Sequence, residues 1–267
     1  MSNMDVKLSR VSSSGDVKED IRRVLAELGG LDQFVQAGQS VLVKPNFNTA
    51  DEYPASSDPE FLAALVDVLR EQGASRVAVG ESSTYFLKTG KVMDKWGIEG
   101  LKKGRPWLEV INFDEGEWVS RHVPSAKYQR HVSIPACLSE FDRLVYAPCL
   151  KTHSMTRYTG ALKLTVGLMK PSERLGLHIL NVQEKVGEIN AVVEPDLIVM
   201  DARKCFISGG PMNGPVREPG VILAGDSRLA IDEAGLTLIQ SFEGNSLSDV
   251  DASGMPQFAA ARAVGVK

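Results

Sequence analysis

The chain has 267 residues, 43% of them hydrophobic and 24% charged, a composition typical of a globular protein with a substantial core. Its 34 acidic and 30 basic residues argue against general nucleic-acid binding, and no apolar run approaches the roughly 20 residues of a membrane span. The residues from Met1 to Lys7 show no export signal. The three cysteines form no C-x-x-C pair, which is typical of a reducing cytoplasm and gives no support for a zinc ribbon or a ferredoxin-type cluster.

The first part of the chain predicts strands that alternate with amphipathic helices. The helix that begins at Asp58 and Pro59 has an N-cap residue followed by proline at its first position. A strand, helix and strand in close succession indicate a parallel crossover. The predicted elements are a strand at 6–11, a helix at 16–28, a strand at 41–43, a helix from 58 to 72 and a strand at 76–80.

The middle of the chain predicts a strand at 108–113 and then an antiparallel pair of strands. Segments 117–123 and 128–134 both alternate between apolar and polar residues, and Pro124–Lys127 separates them. This pattern predicts a peripheral antiparallel hairpin over about residues 115–135, with His122 and His131 as surface or structurally satisfied side chains. An apolar run at 143–150 predicts a buried strand.

The last part predicts a helix at 183–193, strands at 197–200 and 220–224, and a helix at 229–242. Residues 208–220 are rich in glycine and proline, and they form either a structural turn or a mobile lid. Taken together, the elements predict a single α/β domain over residues 1–267. It would contain a mostly parallel sheet flanked by helices, with the hairpin at its periphery.

Residues 148–178 form a basic island in an acidic chain, and we interpret this segment as the functional centre. A local excess of positive charge can concentrate an anion without attracting polyanions in general. The bases of the segment are Lys151, Arg157, Lys163, Lys170 and Arg174, its histidines are His153 and His178, and its acid is Glu173.

The predicted geometry of this segment favours a pocket. Lys151 and His153 follow the predicted strand, and residues 159–170 predict a short helix. Lys163, Gly167 and Lys170 would share one face of that helix. The N–H groups at its start, near Thr159 and Gly160, would favour an anion. Alternatively, Lys170 stabilises a helix C-terminus and Lys163 points to water.

Polar residues also follow the other predicted strands. Ligands of parallel α/β sheets bind outside the carboxyl ends of the strands, so a shared cleft is expected there. A mixture of amines, imidazole and carboxylates is suited to acid–base chemistry. The residues at these ends are Lys44 and Asn46, Glu81 and Ser82, Lys151 and His153, Asp201, and Asp226.

The residue types in the chain also allow a metal-binding site. His153, His178, Glu81 and Asp201 could form a nitrogen–oxygen ligand set. No local ligand motif supports it, and the neighbouring lysines would oppose a bare cation. We therefore predict no protein-bound metal, and the sequence does not identify a cofactor.

Several short segments occur in an order that is specific as a set. They are 41–46, 79–82, 150–153, 159–163 with Gly167, His178, Asp201, 210–214, and 224–226 with Asp232. Through these segments the chain resembles the domain of unknown function family 362 over about residues 41–240. That resemblance implies a cytoplasmic α/β domain that is often fused to a ferredoxin-like cluster module, and hence redox chemistry. This chain lacks the cluster cysteines, so a separate ferredoxin-like electron donor would be needed. Leu164 stands where relatives often have Asn.

The leading hypothesis is an enzyme that acts on a small anionic, carboxylate- or phosphate-bearing substrate or cofactor. Lys151, Lys163 and Lys170 would hold the anion. His153 or His178 would act as general acid or base, and Glu81 or Asp201 would orient the imidazole. The remaining predicted ligand-binding residues are Lys44, Asn46, Thr159, Gly160, Asn213 and Asp226.

Two alternatives stand beside this hypothesis. One is a non-catalytic ligand-binding module or redox-partner adaptor. The other follows from a loose similarity to the lactate-racemase type, which implies an isomerase that uses a nickel-pincer nucleotide. Neither nucleic acid nor membrane is expected as a partner.

Overall fold

The computed structural model describes residues 6–267 and contains one large sheet and one small sheet. The interpretation of the first residues as lacking an export signal falls mainly on residues 1–5, outside the described part. The strands of the large sheet are β1 (Leu8–Ser12), β2 (Ser40–Lys44), β3 (Arg76–Glu81), β4 (Leu108–Asn112), β7 (Arg143–Tyr146), β8 (Cys149–His153), β9 (Arg157–Thr159), β10 (Leu197–Phe206), β11 (Val216–Arg217) and β12 (Val221–Gly225). The small sheet pairs β5 (Trp118–His122) with β6 (His131–Pro135).

The centre of the large sheet is parallel. Its order is β1-β12-β10-β7-β2-β3-β4, in which β10, β7, β2, β3 and β4 run in the same direction. β8 also runs parallel to β10, whereas β12 pairs antiparallel with both β10 and β1 at one side of the sheet. The antiparallel β5–β6 hairpin stands apart from this sheet. These observations confirm the predicted fold class.

Helices cover both faces of the sheet. Asp16 caps α1 by accepting a hydrogen bond from the Glu19 amide, and Asp58 caps α2 in the same way through Phe61. The helices are α1 (Val17–Glu27), α2 (Pro59–Glu71), α3 (Thr89–Trp96), α4 (Ile98–Lys102), α5 (Ala161–Leu164), α6 (Pro171–Leu177), α7 (Val182–Glu188), α8 (Arg228–Gln240) and α9 (Pro256–Ala263).

Alternation along the strands divides the core into two layers. In β2, Val41 and Val43 pack into the cluster that includes α1 and α2, whereas Leu42 faces the cluster that includes α8. Both clusters are built from buried aliphatic and aromatic side chains, so the central strands are covered on both sides. In the described part of the chain no helix is both long and apolar enough to cross a membrane.

The predicted strand at 143–150 is in fact two strands. β7 ends at Tyr146, and pairing resumes at Cys149 in β8, which lies beside β10. Pro148 interrupts the run because it has no N–H to donate to a neighbouring strand. Lys151 and His153 therefore lie within β8 rather than after a strand.

The predicted helix at 159–170 is also shorter than expected. One turn of α-helix at 161–164 continues as a 3₁₀ segment over Thr165–Leu168. Lys170 has an extended backbone because Pro171 follows it, and its N–H donates to Ser133 O at 2.9 Å. The predicted shared helical face of Lys163 and Lys170 is therefore wrong.

Candidate functional site

A cleft lies where β2, β3 and β8 end, and we call it the central cleft. It encloses about 560 Å³ of space that includes its open mouth. The segment from 159 to 174 forms one wall, and Pro211 and Met212 of the 208–214 loop contribute to another. The predicted site residues that line it are Lys44, Asn46, Glu81, Lys151, His153, Thr159 and Lys163.

Lys44 and Glu81 form a buried ion pair at the base of the central cleft. The Nζ and Oε1 atoms are 2.5 Å apart, and the side chains are 1% and 2% exposed. Glu81 also accepts hydrogen bonds from the Phe47 and Ser82 amides. Burial lowers the pKa of Lys44, Glu81 opposes this shift, and Arg174 adds to it. The positive charge of Lys44 and the negative charge of Glu81 therefore neutralise each other.

Gly167 allows the 3₁₀ segment to approach this ion pair. A β-carbon at this position would lie 2.7 Å from Lys44 Nζ and 2.8 Å from Glu81 Oε1. These distances are too short for van der Waals contact, so a larger residue would displace the pair. Gly167 is thus required by close approach rather than by backbone conformation.

Lys151 is a buried cation that has only carbonyl partners. Its Nζ donates to the backbone oxygen of Ala55 and, at 3.4 Å, to that of Pro54. Burial lowers the pKa of Lys151 to about 8, and Lys44 contributes repulsion in the same direction. Two of its three N–H groups are used, so one remains for a ligand.

Arg174 enters the central cleft from α6 and is also held by neutral acceptors. Its guanidinium donates to the carbonyl oxygens of Met169, Ser82, Ser83 and Gly167, and to the Ser82 hydroxyl. Burial lowers the pKa of Arg174 to about 10. Because all five N–H groups have partners, Arg174 acts on the cleft through its charge.

Among the described cations of the central cleft, Lys163 is the one whose side chain has no hydrogen-bond or ion-pair partner. It is half-buried, and none of the described residues accepts a hydrogen bond from its Nζ or forms an ion pair with it. Burial lowers the pKa of Lys163 to about 8, and repulsion from Lys151 and Arg174 contributes. The buried hydroxyl of Thr159, on the same wall, also has no partner within residues 6–267.

The charges that line the central cleft do not balance. Lys44, Lys151, Lys163 and Arg174 are cations, and Glu81 is the single carboxylate among the described lining residues. After Glu81 neutralises Lys44, the other bases repel one another across a partly desolvated space. An anion placed there would gain from all of them.

His153 is held in a neutral form. Its Nδ1 accepts hydrogen bonds from the Met155 and Thr156 amides at 3.0 and 3.3 Å, which puts the ring proton on Nε2. Burial lowers the pKa of His153 to about 2, and Lys163, Lys151 and His178 add repulsion. His153 is therefore suited to donate a hydrogen bond through Nε2 rather than to act as a base.

His178 lies outside the residues that line the central cleft. It ends α6, its Nδ1 is 2.6 Å from Arg174 O, and its ring centroid is 6.1 Å from that of Tyr85. No carboxylate contacts either imidazole among the described residues. The prediction that Glu81 or Asp201 orients a histidine is therefore wrong.

Asp201 belongs to a separate group of side chains, which we call the Asp201 cluster: Asp201, Arg203, Tyr53 and Asp58. The Oδ1 atom of Asp201 accepts a hydrogen bond from the Tyr53 hydroxyl at 2.7 Å, and Arg203 donates to both carboxylate oxygens of Asp201. Asp201 lies within β10 because that strand extends to Phe206, beyond its predicted end. Its carboxylate is not available to a ligand in the central cleft.

Asp226 lies at the opposite edge of the sheet. β12 is antiparallel to β10, and Gly225 pairs with Ile198 near the start of that strand. Asp226 accepts a hydrogen bond from the Lys7 amide there. The expected position of Asp226 is wrong because the sequence pattern does not reveal the direction of a strand.

The start of α5 is already occupied by a carboxylate of the chain. Asp232 accepts from the Ala161 and Leu162 amides at 2.6 and 2.9 Å. A β-carbon at Gly160 would lie 2.1 Å from Asp232 Oδ1, which explains the glycine. The prediction that these N–H groups hold a ligand anion is therefore wrong.

Lys170 and Asn213 are exposed and do not line the central cleft. The 208–214 loop contains a turn in which Gly210 N donates to Asn213 O at 2.7 Å, and Ser154 N donates to Gly210 O. Sequence reasoning did not assign Asn48, Thr49 or Arg174 to the site. The sequence placed Arg174 in the basic island, but its position in the central cleft depends on the packing of α6 against residues 82–83.

The proposed nitrogen–oxygen ligand set does not assemble. Within residues 6–267 no group of three or more His, Cys, Asp or Glu side chains is placed to hold a metal ion. Glu81 is paired with Lys44, and Asp201 is paired with Arg203. The donors present do not fit a metal held by protein side chains alone.

Comparison with known proteins identifies the family. The model of the family described as "Domain of unknown function (DUF362)" matches residues 41–237. The chain belongs to this family. It is 25% identical over 232 residues to the "Thylakoid-associated protein sll1697" of Synechocystis sp., and the match covers 84% of this chain and 70% of that protein.

A solved structure shares the fold of this DUF362 chain. The lactate racemase apoprotein from Thermoanaerobacterium thermosaccharolyticum aligns with a TM-score of 0.50 and 13% identity, over 73% of this chain and 50% of the racemase chain. The aligned part is therefore half of the racemase. At this identity the likeness shows the fold alone.

The DUF362 match confirms the predicted family and nearly the predicted range. Most of the segments that carried the resemblance contribute to the central cleft, namely 41–46, 79–82, 150–153, 159–163 and 210–214. Segment 224–226 lies elsewhere, at the opposite edge of the sheet.

Proposed function

We propose that the central cleft binds a small molecule through a carboxylate or phosphate group. The observation that carries this proposal is the half-buried amine of Lys163, which has no partner among the described residues and is repelled by Lys151 and Arg174. An anion would supply the missing partner. It would also relieve the repulsion between the bases.

The energetics favour such a ligand. A hydrogen bond to a charged group contributes about 1.5–3 kcal/mol, which corresponds to roughly ten- to a hundredfold in affinity. Lys151 has one N–H group left, Lys163 has three, and the Thr159 hydroxyl lacks a partner. These donors would contact the anion directly, while Arg174 would contribute its charge.

The size of the cleft limits the ligand. Small-molecule sites occupy about 300–1,000 Å³, whereas the cavity volume of the central cleft that compares with this range is about 60 Å³. The space suits a small anion or the anionic end of a larger molecule. It does not suit a folded partner or a duplex.

The chemistry around the anion supports acid–base catalysis by lysines rather than by histidine. Lys151 and Lys163 have pKa values near 8, so each can exchange a proton near neutral pH. Neutral His153 would donate a hydrogen bond to a substrate oxygen through Nε2. Electron transfer with a separate ferredoxin-like donor remains a proposal that rests on family resemblance alone.

Calorimetric titration with inorganic phosphate tests the anion site. Wild-type protein should bind phosphate, and Lys163→Met should weaken binding by roughly ten- to a hundredfold through loss of a charge-assisted hydrogen bond. Lys170→Met is the matched control, since Lys170 is an exposed lysine of the same basic island. Equal affinity for phosphate in all three proteins, or no binding by wild type, would reject the site.

A further inference from the structure

Lys163 differs from the other bases of the central cleft in how its nitrogen is used. Lys44 donates to Glu81 and to Pro45 O, and Lys151 donates to two carbonyl oxygens. Lys163 Nζ has no acceptor within the described part of the chain. An amine that is positioned in a cleft but bound to nothing is free to act as a nucleophile.

The protonation state of Lys163 agrees with this geometry. An exposed lysine has a pKa near 10.4 and is almost entirely protonated at neutral pH. Burial together with the charges of Lys151 and Arg174 lowers the pKa of Lys163 to about 8. A useful fraction of the amine is then unprotonated, and its lone pair can attack a carbonyl carbon.

We propose that Lys163 forms an imine with the carbonyl carbon of a small 2-oxo acid whose carboxylate lies in the positive field of the neighbouring bases of the central cleft. This inference rests on the anion site proposed above and specifies the class of ligand. A 2-oxo acid carries its carboxylate directly beside the carbonyl carbon. One molecule can therefore satisfy the unbalanced positive charge and place an electrophile next to Lys163.

Imine formation at Lys163 requires two proton transfers. The lone pair of neutral Lys163 forms the C–N bond, and the π electrons of the carbonyl move to its oxygen, which takes the proton lost from nitrogen. The ammonium group of Lys151 donates a second proton, the C–O bond breaks, and water leaves. The products are a protonated imine on Lys163, one water molecule and neutral Lys151.

Other residues of the central cleft fit supporting roles. Lys151 retains one N–H group and has a pKa of about 8, which suits a proton donor at neutral pH. Neutral His153 and the Thr159 hydroxyl can donate hydrogen bonds to the carbonyl oxygen as negative charge develops there. Both are positioning residues that do not transfer a proton in this step.

Borohydride trapping tests the proposal with pyruvate as the probe. The full chain is incubated with pyruvate and then with sodium borohydride, which reduces an imine to a stable secondary amine. Intact-mass and peptide mass spectrometry should show one reduced adduct per chain, located on Lys163. Lys170→Met should form the same adduct, whereas Lys163→Met should form none at that site.

Two further arms separate this inference from the anion site. Inorganic phosphate should protect wild-type protein from the pyruvate adduct by competing for the same bases. Phosphate binding without any pyruvate adduct would overturn the imine proposal and leave the anion site intact. An adduct that persists in Lys163→Met, or that is spread over surface lysines, would overturn it as well.

Discussion

The central cleft and the Asp201 cluster are two buried sets of charges that are completed in different ways. In the Asp201 cluster, Arg203 donates to Asp201 and to Asp58, and these partners raise its pKa. In the central cleft, burial lowers the pKa values of Lys151 and Lys163, and repulsion from Lys44 on Lys151, and from Lys151 and Arg174 on Lys163, adds to the shifts. The charges of the Asp201 cluster neutralise one another, whereas Lys151 and Lys163 of the central cleft form no ion pair with a described carboxylate.

This difference separates structural charges from charges that await a ligand. Burying an unpaired charge costs free energy, so a chain that folds with several such groups must obtain their partner elsewhere. The Asp201 cluster joins the loop after β2 to β10 through Tyr53 and Arg203. The central cleft lies beside it and remains open. The following variants test whether the two regions differ in this way.

The largest effect is expected from Glu81→Ala, the paired carboxylate of the central cleft. Removal leaves Lys44 buried without its counter-ion, which should lower the free energy of unfolding by about 3–5 kcal/mol. Chemical denaturation measures this change. Asp226→Ala is a control in which a partly exposed carboxylate is lost at the opposite edge of the sheet; similar stability losses in both variants would contradict the assignment.

Asp201→Ala should destabilise the protein without changing phosphate affinity. Tyr53 loses its shorter hydrogen bond and keeps the 3.4 Å bond to Lys204 O, and Arg203 retains only Asp58 as a carboxylate partner, so we expect a loss of about 1–3 kcal/mol in the free energy of unfolding. Denaturation and phosphate calorimetry on the same variant check both parts. Weakened phosphate binding in a folded variant would place Asp201 in the ligand site after all.

Lys163→Met should show the opposite pattern, with weaker phosphate binding and no loss of stability. The lysine gives no hydrogen bond to the described residues, and its removal relieves repulsion, so the free energy of unfolding at neutral pH should not fall below that of wild type. Denaturation without phosphate measures this. A clear loss of stability would indicate a structural role for Lys163.

Lys163 should also make the stability of ligand-free protein depend on pH. The folded-state pKa of Lys163 is lowered from 10.5 to about 8. The unfolded chain therefore binds more protons between these values, and wild-type stability should gain as pH rises from 8 towards 10.5. The difference from Lys163→Met in denaturation curves isolates this contribution. A difference that does not vary with pH over this range would contradict the lowered pKa.

The sequence predicted the parts of the site that depend on local pattern. Lys44, Glu81 and Lys151 follow or end apolar runs, and parallel strands bring such residues to one edge. Asp226 was misplaced because an apolar run does not encode the direction of its strand. A carboxylate at the start of α5 could not be foreseen either, since Asp232 is distant in sequence and is brought there by packing of α8.

The sequence also could not predict the role of His153. Its type and position predict a general acid or base, but two backbone amides occupy Nδ1 and nearby lysines oppose a positive charge. These effects arise from the turn after β8 and from the convergence of distant bases. Burial and neighbours, rather than residue type, thus set the chemistry available to a histidine.

The most direct test of the unbalanced charge is an NMR titration of the Lys163 side chain, assigned by comparison with Lys163→Met. Without ligand, Lys163 should titrate near pH 8 because burial and the charges of Lys151 and Arg174 disfavour its protonated form. With saturating inorganic phosphate, its pKa should rise towards the ordinary value of 10.5. An ordinary pKa that phosphate leaves unchanged would contradict the account.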